Sequence, residues 1–346
     1  MNQRLDIGEN VELQPLNSLR VAARARYFVD VHSTDELSSA LEWAAQQGAS
    51  TLILGGGSNL VFAGDVDGLV IRVRLLGRRW EQVDGPEATL VLGAGENWHD
   101  AVLYAASAGY RGIENLALIP GTAGAAPVQY IGAYGVELRD TLVAVTALDR
   151  ETGQAVRLGN GDCQFAYRDS LFKRTPGRYV ITGVHLRLSR QKPLQLGYRE
   201  LEEYLGEKAP PDLDAVAVAE AVMAIRRRKL PDPAMIPNAG SFFKNPVISQ
   251  GWYESLRAEY PGLVGHPVPE GVKLAAAWLI DQSGWKGFRN TRVGVHNRQA
   301  LVLINHSGGN GADILSLADR IRQSVSERFG VELEMEPGVV GGAGHP

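Results

Sequence analysis

The sequence predicts an α+β fold with more than one domain, and three observations support that prediction. Its 346 residues are enough for two or three domains with sizeable cores. Strand patterns and capped helix patterns are mixed along the chain, and residues 140–190 are mostly β. A composition shift at the basic run Arg226-Arg227-Arg228-Lys229, just before Pro231 and Pro233, indicates a domain boundary.

The first hundred residues predict strands around two capped helices. Ser33 followed by Glu36 is a capping-box signature, so a helix begins there, and Gly48 ends it. Asn97 caps a second helix over about 98–108, which Gly109 ends. Short apolar runs bounded by turn residues predict strands at 27–31, 51–54, 68–73 and 89–93.

The remainder of the chain predicts three more helices. Asp212 or Asp214 begins one that ends in the basic run, and a second covers roughly 272–283. The last begins at Asp313, carries an inward apolar stripe and stops at Gly330. Further strands are predicted at 142–148, 179–188 and 300–304.

The composition excludes several classes of protein. Hydrophobic residues make up 45% of the chain and charged residues 21%, which is typical of a globular protein. A net charge of −4 gives no general attraction for nucleic acid, so local cations must bind any anionic ligand. With Cys163 as the single cysteine and scattered histidines, we expect neither a disulfide nor a metal site. We find no apolar signal core and no membrane-spanning run, and therefore expect a cytoplasmic protein without membrane insertion.

Two glycine-rich runs indicate a nucleotide cofactor. Gly55-Gly56-Gly57-Ser58-Asn59 follows a strand but leads into another strand, which argues against a Rossmann turn, and the absence of a following Lys-Ser or Lys-Thr excludes a P-loop. Its backbone N–H groups could wrap a phosphate, although a glycine-rich hairpin is the alternative. Ile119 to Gln129 is rich in small residues, so its backbone could approach a flat ring or a diphosphate.

Four polar segments are candidates for chemistry, and each also has a structural explanation. In Asn238 to Pro246, Ser241 next to Gly240 could meet a ligand, or the segment could be a turn anchored by its two phenylalanines. Arg168 could stabilise developing negative charge, or form a surface pair with Asp169. The basic run could bind phosphates, or simply complement a helix C-terminus. Glu332, Glu334 and Glu336 alternate, so a strand would present all three on one face, where most such carboxylates are merely solvated.

Together these residues resemble the UDP-N-acetylenolpyruvoylglucosamine reductase (MurB) family of flavoenzymes. The resemblance spans about Asn17 to Gly341, and its most specific segments are 55–59, 120–122, 167–170 and 238–246. Tyr198, in Leu196-Gly197-Tyr198-Arg199, resembles the type I form, which folds a tyrosine-bearing loop over its substrate.

The resemblance implies a three-part fold. Residues 1–75 and 76–225 would be the two subdomains of an FAD-binding scaffold of the vanillyl-alcohol-oxidase (PCMH) type, holding FAD non-covalently. A C-terminal strand in 331–346, near the active site, would join the first of these subdomains, and residues 226–330 would form an α+β domain that binds the UDP-sugar. A monomer is expected.

The resemblance also implies a reaction and its residues. NADPH would deliver a hydride to flavin N5, and the enolpyruvyl UDP-sugar would then accept it at C3 and a proton at C2, giving UDP-N-acetylmuramate. Ser241 would donate that proton, while Arg168 and a protonated Glu336 would stabilise the charge that builds on the carboxylate. The implied cofactor-binding residues are Gly55, Gly56, Gly57, Ser58, Asn59, Pro120, Gly121, Thr122, Gly124, Ala125, Gln129 and Arg226. The implied substrate-binding residues are Tyr134, Tyr198, Lys229, Asn245 and Lys273.

Two departures from the family pattern affect these assignments. Tyr130 stands where the family usually has asparagine, and Pro337-Gly338 follow Glu336 where the family tends to have Val-Arg. The second departure leaves the choice of Glu336 over Glu334 a matter of register. A different flavin oxidase on the same scaffold, or a catalytically silent nucleotide-sugar sensor, is the alternative to the reductase.

Overall fold

A computed structural model describes residues 5–208 and 213–341. Two compact units make up the chain. The first contains Ala25–Gly57 and Asp67–Arg228 together with the N-terminal strand as far as Val11, and the second contains Glu12–Arg24, Ser58–Val66 and the chain from Lys229 onward. The cut after Arg228 falls within the basic run. The division into three parts at 75 and 225 remains a prediction.

The helices and strands of the described residues are as follows. The helices are α1 (Thr34–Gln46), α2 (Trp98–Ser107), α3 (Ala125–Gln129), α4 (Leu171–Arg174), α5 (Arg199–Lys208), α6 (Ala215–Lys229), α7 (Gln250–Glu259), α8 (Ala276–Gln282) and α9 (Gly311–Phe329). The strands are β1 (Gly8–Glu12), β2 (Arg24–Val31), β3 (Ser50–Leu54), β4 (Leu60–Phe62), β5 (Val66–Val73), β6 (Arg78–Asp84), β7 (Glu87–Gly93), β8 (Gly132–Ala133), β9 (Val136–Glu137), β10 (Leu142–Asp149), β11 (Gln154–Gly159), β12 (Tyr179–Ser189), β13 (Asn238–Ser241), β14 (Val247–Ile248), β15 (Gly265–Val268), β16 (Gly271–Leu274), β17 (Val293–Val295), β18 (Val302–Asn305) and β19 (Gly338–Val340).

Two sheets share one core in the first unit. One sheet has the strand order β1-β2-β5-β3, with β3 and β5 parallel, and the other has the order β11-β10-β12-β7-β6 with antiparallel neighbours. Buried side chains from both sheets and from α1, α2 and α6 belong to the same hydrophobic cluster. The two sheets of this unit therefore belong to a single hydrophobic core.

The helix starts in the first unit follow the predicted caps. Ser33 Oγ accepts a hydrogen bond from the Glu36 N–H at 3.1 Å, and Asn97 Oδ1 accepts one from the Asp100 N–H at 3.0 Å. In a capping box the Glu36 carboxylate would accept a hydrogen bond from the N–H of the cap residue Ser33. Here it accepts from the N–H of His32, the residue before the cap, at 2.6 Å. Among residues 5–208 and 213–341, no helix combines the length and apolar character needed to cross a membrane.

The second unit is built from smaller sheets. Their strand orders are β13-β18-β17 and β14-β16-β15, and β4 pairs in parallel with β19. The long helix α9 carries the predicted buried stripe and ends at Gly330, whose φ is +69°. It begins two residues before Asp313 because Asn310 is its cap and Asp313 completes the capping box.

One local prediction is wrong, and another falls partly outside the described residues. The helix predicted over 272–283 begins only at Ala276, because the residues before it form strand β16. Val272 and Leu274 are buried while Lys273 is half-buried, which is the alternation typical of a strand. No strand covers Glu332 to Glu336; the three glutamates lie on an extended segment with one isolated bridge, at Met335. Asp214 accepts a hydrogen bond from the Ala217 N–H at the start of α6, whereas Asp212 lies outside the described residues.

Candidate active site

The two glycine-rich runs lie against each other within the first unit. As predicted, a strand, β4, and not a helix follows the first run. A Cβ added to Gly56 would lie 2.9 Å from the Gly121 Cα, and one added to Gly55 would lie 2.7 Å from Thr122 Oγ1. Contacts this close leave no room for a side chain, so glycine is required where the two backbones meet.

The second run is held by backbone hydrogen bonds. The Gly121 carbonyl accepts from the Trp98 N–H at 3.1 Å, and the Gly124 N–H donates to Ala94 at 2.9 Å. Gly121 has a φ of +112° and Gly57 one of +60°, conformations that glycine adopts without strain. Pro120 is exposed and Gln129 ends the short helix α3. The result is a narrow cradle of backbone groups suited to a phosphate or a flat ring.

Gly56→Ala is expected to reduce flavin retention by at least about tenfold, because the new methyl group would push against the Gly121 backbone. The purified variant would be compared with wild type by the ratio of flavin to protein absorbance. Gly161→Ala is the matched control, since a Cβ there meets no atom within 4 Å and no left-handed φ is required. Wild-type flavin content in Gly56→Ala would contradict the role of this run.

Arg168 is held by main-chain carbonyls. It lies in a tight turn in which the N–H of Ala166 and the carbonyl of Asp169 are paired at 3.0 Å, and its own φ is +54°. Its guanidinium donates to the carbonyls of Tyr130 and Gly132, at 3.3 Å each. Asp169 pairs with Arg174. The carbonyl partners of Arg168 left no signal in the sequence, since any residue type provides a carbonyl.

Tyr130, the first departure from the family pattern, has a clear structural explanation. Its φ of +47° lies in the left-handed region, which asparagine tolerates better than most residues. Two contacts offset that strain: the ring stacks on Phe165 with centroids 4.5 Å apart, and the hydroxyl donates to Glu137 at 2.6 Å. The carbonyl of Tyr130 that accepts from Arg168 thus lies on a residue whose left-handed conformation is stabilised by side-chain contacts.

Arg226 contributes a second buried cation to the first unit. It lies in the last turn of α6, hydrogen-bonds the Tyr134 hydroxyl, and has Arg168 as a cationic neighbour. Burial lowers the pKa of Arg226 and raises the pKa of Tyr134 to about 12. The Arg226 Nε is buried and makes no hydrogen bond to any described residue. A buried donor beside a second guanidinium favours an anionic ligand.

The Tyr134 ring also contacts the predicted loop tyrosine. Tyr134 and Tyr198 meet edge to face with centroids 5.1 Å apart and an interplanar angle of 73°, and Tyr198 is 46% exposed.

Sequence reasoning missed His99, whose pKa is lowered by burial and by the neighbouring Arg227 and Arg226. Its Nδ1 accepts a hydrogen bond from the Leu118 N–H at 3.1 Å. In the sequence, only the position of His99 in the first turn of the predicted helix could have drawn attention to it.

In the second unit, Ser241 ends strand β13 next to a left-handed glycine. Gly240 has a φ of +71°, and its N–H donates to Asn238 Oδ1 at 2.9 Å. A bulge between Asn238 and Ser241 interrupts the pairing of β13 with β18. Phe242 and Phe243 are fully buried, so the aromatic anchor and the half-buried serine belong to one segment.

The segment that carries Glu336 lies beside the segment that follows Ser241. Its N–H donates to the Phe242 carbonyl at 2.9 Å, and the Lys244 N–H donates to the Glu334 carbonyl at 2.9 Å. The Glu334 carboxylate pairs with Lys244 and its side chain is 72% exposed, whereas Glu336 is half-buried. This register supports the choice of Glu336 as the residue that shares a site with Ser241.

The remaining predicted residues also belong to the second unit. The main-chain carbonyl of Asn59 accepts a hydrogen bond from the Gly338 N–H at 3.2 Å. This bond links the end of the first glycine-rich run, where Ser58 and Asn59 belong to the second unit, to the segment after Glu336. Asn245 Oδ1 accepts from the Ala276 N–H at 3.0 Å. Lys273 lies opposite Val247 in the sheet, and Lys229 is exposed at the end of α6. Their substrate contacts remain predictions.

Comparisons with known proteins identify both parts of the chain. An FAD binding domain model matches residues 25–159, and the model for the C-terminal domain of UDP-N-acetylenolpyruvoylglucosamine reductase matches residues 232–340. The reductase of that name from Pseudomonas putida is 48% identical over 330 residues, covering 95% of this chain and 97% of its own. The one from Cupriavidus pinatubonensis is 50% identical over 339 residues, covering 97% and 99%. The crystal structure of the enzyme from Thermus caldophilus matches with a TM-score of 0.68 and 25% identity, over 98% and 99% of the two chains.

These matches confirm the resemblance drawn from the sequence, the α+β class with an FAD-binding part and a distinct C-terminal domain, and FAD as the cofactor. The chain belongs to the UDP-N-acetylenolpyruvoylglucosamine reductase family and is an FAD-containing oxidoreductase.

Proposed function

We propose that this protein reduces UDP-N-acetyl-3-O-(1-carboxyvinyl)glucosamine with NADPH to UDP-N-acetylmuramate, a step in the synthesis of peptidoglycan precursors. The observation that carries the proposal is identity of about half of all residues, over nearly the whole chain, with reductases of that name. FAD, when bound, would supply the hydride-transfer chemistry between NADPH and the substrate alkene. We further expect a cytoplasmic monomer.

The residues of the first unit fit FAD. The backbone of Gly55, Gly56 and Gly121 would receive the diphosphate, because the two runs meet closely there and only glycine allows that approach. The buried Arg226 Nε would find an acceptor in a phosphate oxygen. Neither glycine-rich run contains a histidine or cysteine to which a flavin could be attached, which supports non-covalent binding.

The chemistry assigns a role to the cation and the acid. Addition of a hydride to an alkene conjugated with a carboxylate moves negative charge onto that carboxylate. Groups fixed in place beforehand stabilise such charge more in the transition state than in the ground state. Arg168, whose guanidinium is held by two carbonyls, supplies the fixed cation, and Glu336 in its protonated form supplies a hydrogen-bond donor.

Ser241 completes the reaction by donating a proton to C2. A serine hydroxyl is a weak acid in water, so it serves only where it is positioned on a strongly basic intermediate. The left-handed Gly240 and the buried Phe242 restrict where Ser241 can lie, which is the positioning that this role demands. Tyr134, Tyr198, Lys229, Asn245 and Lys273 are the proposed substrate-binding residues.

A flavin oxidase acting on a small alcohol or sugar is the competing function. The purified protein distinguishes the two: the reductase is yellow and oxidises NADPH over many turnovers only when the enolpyruvyl UDP-sugar is present. Consumption of oxygen with simple sugars, without any response to the UDP-sugar, would favour the oxidase. A colourless preparation that does not bind added FAD would reject both.

Glu336→Gln is expected to lower the rate of product formation by about 10²–10³-fold, because the amide is a weaker donor to the developing carboxylate charge. Glu334→Gln is the matched comparison two residues away. Its carboxylate forms an exposed pair with Lys244, and such pairs contribute about 0–1 kcal/mol, so near wild-type turnover is expected. Steady-state NADPH oxidation measures both variants. A larger loss in Glu334→Gln would move the catalytic role to that residue.

A further inference from the structure

Asn115 connects two segments that carry proposed substrate-binding residues. Its side chain is fully buried, in the short turn Glu114–Leu116 that follows α2. The Nδ2 group donates to the carbonyls of Tyr134 and Gln195, each at 2.8 Å. Because both partners are carbonyl oxygens, only the NH₂ end of the amide can face them.

The buried amide of Asn115 is needed for the bonds that it donates. The Asn115 Oδ1 is buried and accepts no hydrogen bond from any residue in 5–208 or 213–341. That unsatisfied acceptor costs free energy, but an aliphatic side chain in the same space would leave the carbonyls of Tyr134 and Gln195 without this donor. What the amide contributes is therefore the tie between these two segments.

What the two bonds hold is the pair of tyrosines. Tyr134 has a φ of +49°, and its ring meets the ring of Tyr198 edge to face. Gln195 lies three residues before Tyr198, in residues 190–198, which form neither helix nor strand between β12 and α5. Asn115 thus ties the irregular stretch that leads to Tyr198 to the backbone of Tyr134.

We infer that Asn115 is a positioning residue for recognition of the UDP-sugar: it sets the Tyr134–Tyr198 pair in place before the substrate arrives. The inference rests on the proposed substrate role of these tyrosines. A segment that is ordered in advance loses less conformational entropy on binding, so the gain appears as affinity for the substrate. Asn115 touches no reacting group and acts only through the two segments it joins.

Asn115→Asp tests the inference, because a carboxylate oxygen would then face two carbonyl oxygens and both bonds would be lost. We expect the KM for the UDP-sugar to rise at least about tenfold while kcat changes less than about threefold. Backbone amides of residues 193–198 should exchange hydrogen faster than in wild type. Asn115→Leu removes both donors without adding a charge and carries the test if the aspartate variant does not fold.

Asn160→Asp is the matched control within the same unit. The Asn160 Nδ2 also donates to two carbonyls, those of Arg139 at 2.7 Å and Leu142 at 3.0 Å, but it is tied to neither tyrosine segment. An unchanged KM is expected for this variant. A comparable KM increase in Asn160→Asp would show that loss of any such bridge weakens binding, and would overturn the inference.

A double-mutant cycle with Tyr198→Ala separates positioning from a general structural effect. If Asn115 acts through Tyr198, Asn115→Asp should raise KM by less than about twofold in the Tyr198→Ala background. Full additivity, or an unchanged KM in the single Asn115 variants, would overturn the inference. Absence of UDP-sugar turnover in the wild type would instead count against the proposed function itself.

Discussion

Ser241→Ala is expected to slow product formation by about 10²–10⁴-fold, the usual contribution of a positioned proton donor. Reduction of the flavin by NADPH should continue at close to the wild-type rate, because that half-reaction requires no proton from this hydroxyl. Stopped-flow absorbance separates the two: the flavin band should bleach normally with NADPH and then recover slowly when the UDP-sugar is added.

Ser255→Ala is the control for that experiment. Ser255 is an exposed serine on α7 of the same unit, and its hydroxyl donates only to the Gly251 carbonyl within the helix. Its removal should leave both half-reactions unchanged. Slow flavin reduction in Ser241→Ala would mean that the serine supports the cofactor and not the proton transfer.

Arg168→Lys is expected to lower the rate of the UDP-sugar step by about 10²-fold, although the charge is retained. The forked guanidinium donates to the carbonyls of Tyr130 and Gly132 together, whereas an ammonium group cannot reproduce that planar geometry. The cation would then occupy several positions, and its stabilisation of the transition state would weaken. Rates of flavin reoxidation by the UDP-sugar provide the measurement.

Arg187→Lys provides the comparison for the arginine variant. Arg187 lies on β12 of the same unit and pairs with Glu87 at 2.9 Å, a partly exposed contact that lysine can largely retain. We expect turnover within about twofold of wild type, since surface pairs contribute little. An Arg168→Lys enzyme of comparable activity would show that only the charge at this position matters.

Local signals in the sequence were sufficient for the helix ends and the glycine positions. Ser33, Asn97 and Gly330 act as predicted because caps and left-handed stops depend on a few adjacent residues. The predicted helix over 272–283 failed at its start because the alternation around Lys273 is only a few residues long. The alternating glutamates lie on a segment that forms no strand and instead pairs with residues 242–244 through isolated contacts.

The sequence by itself determined the fold class, the resemblance to the family and, through that resemblance, FAD as the cofactor. Those conclusions rest on residue types in short, specific segments. Only the tertiary structure decided which carbonyls hold Arg168, why Tyr130 is tolerated, that Glu334 is paired with Lys244, and that Asn115 joins two tyrosine segments. Apart from the bond between Tyr130 and Glu137, each of these contacts joins residues that are distant in the chain, and no local period or motif encodes such a contact.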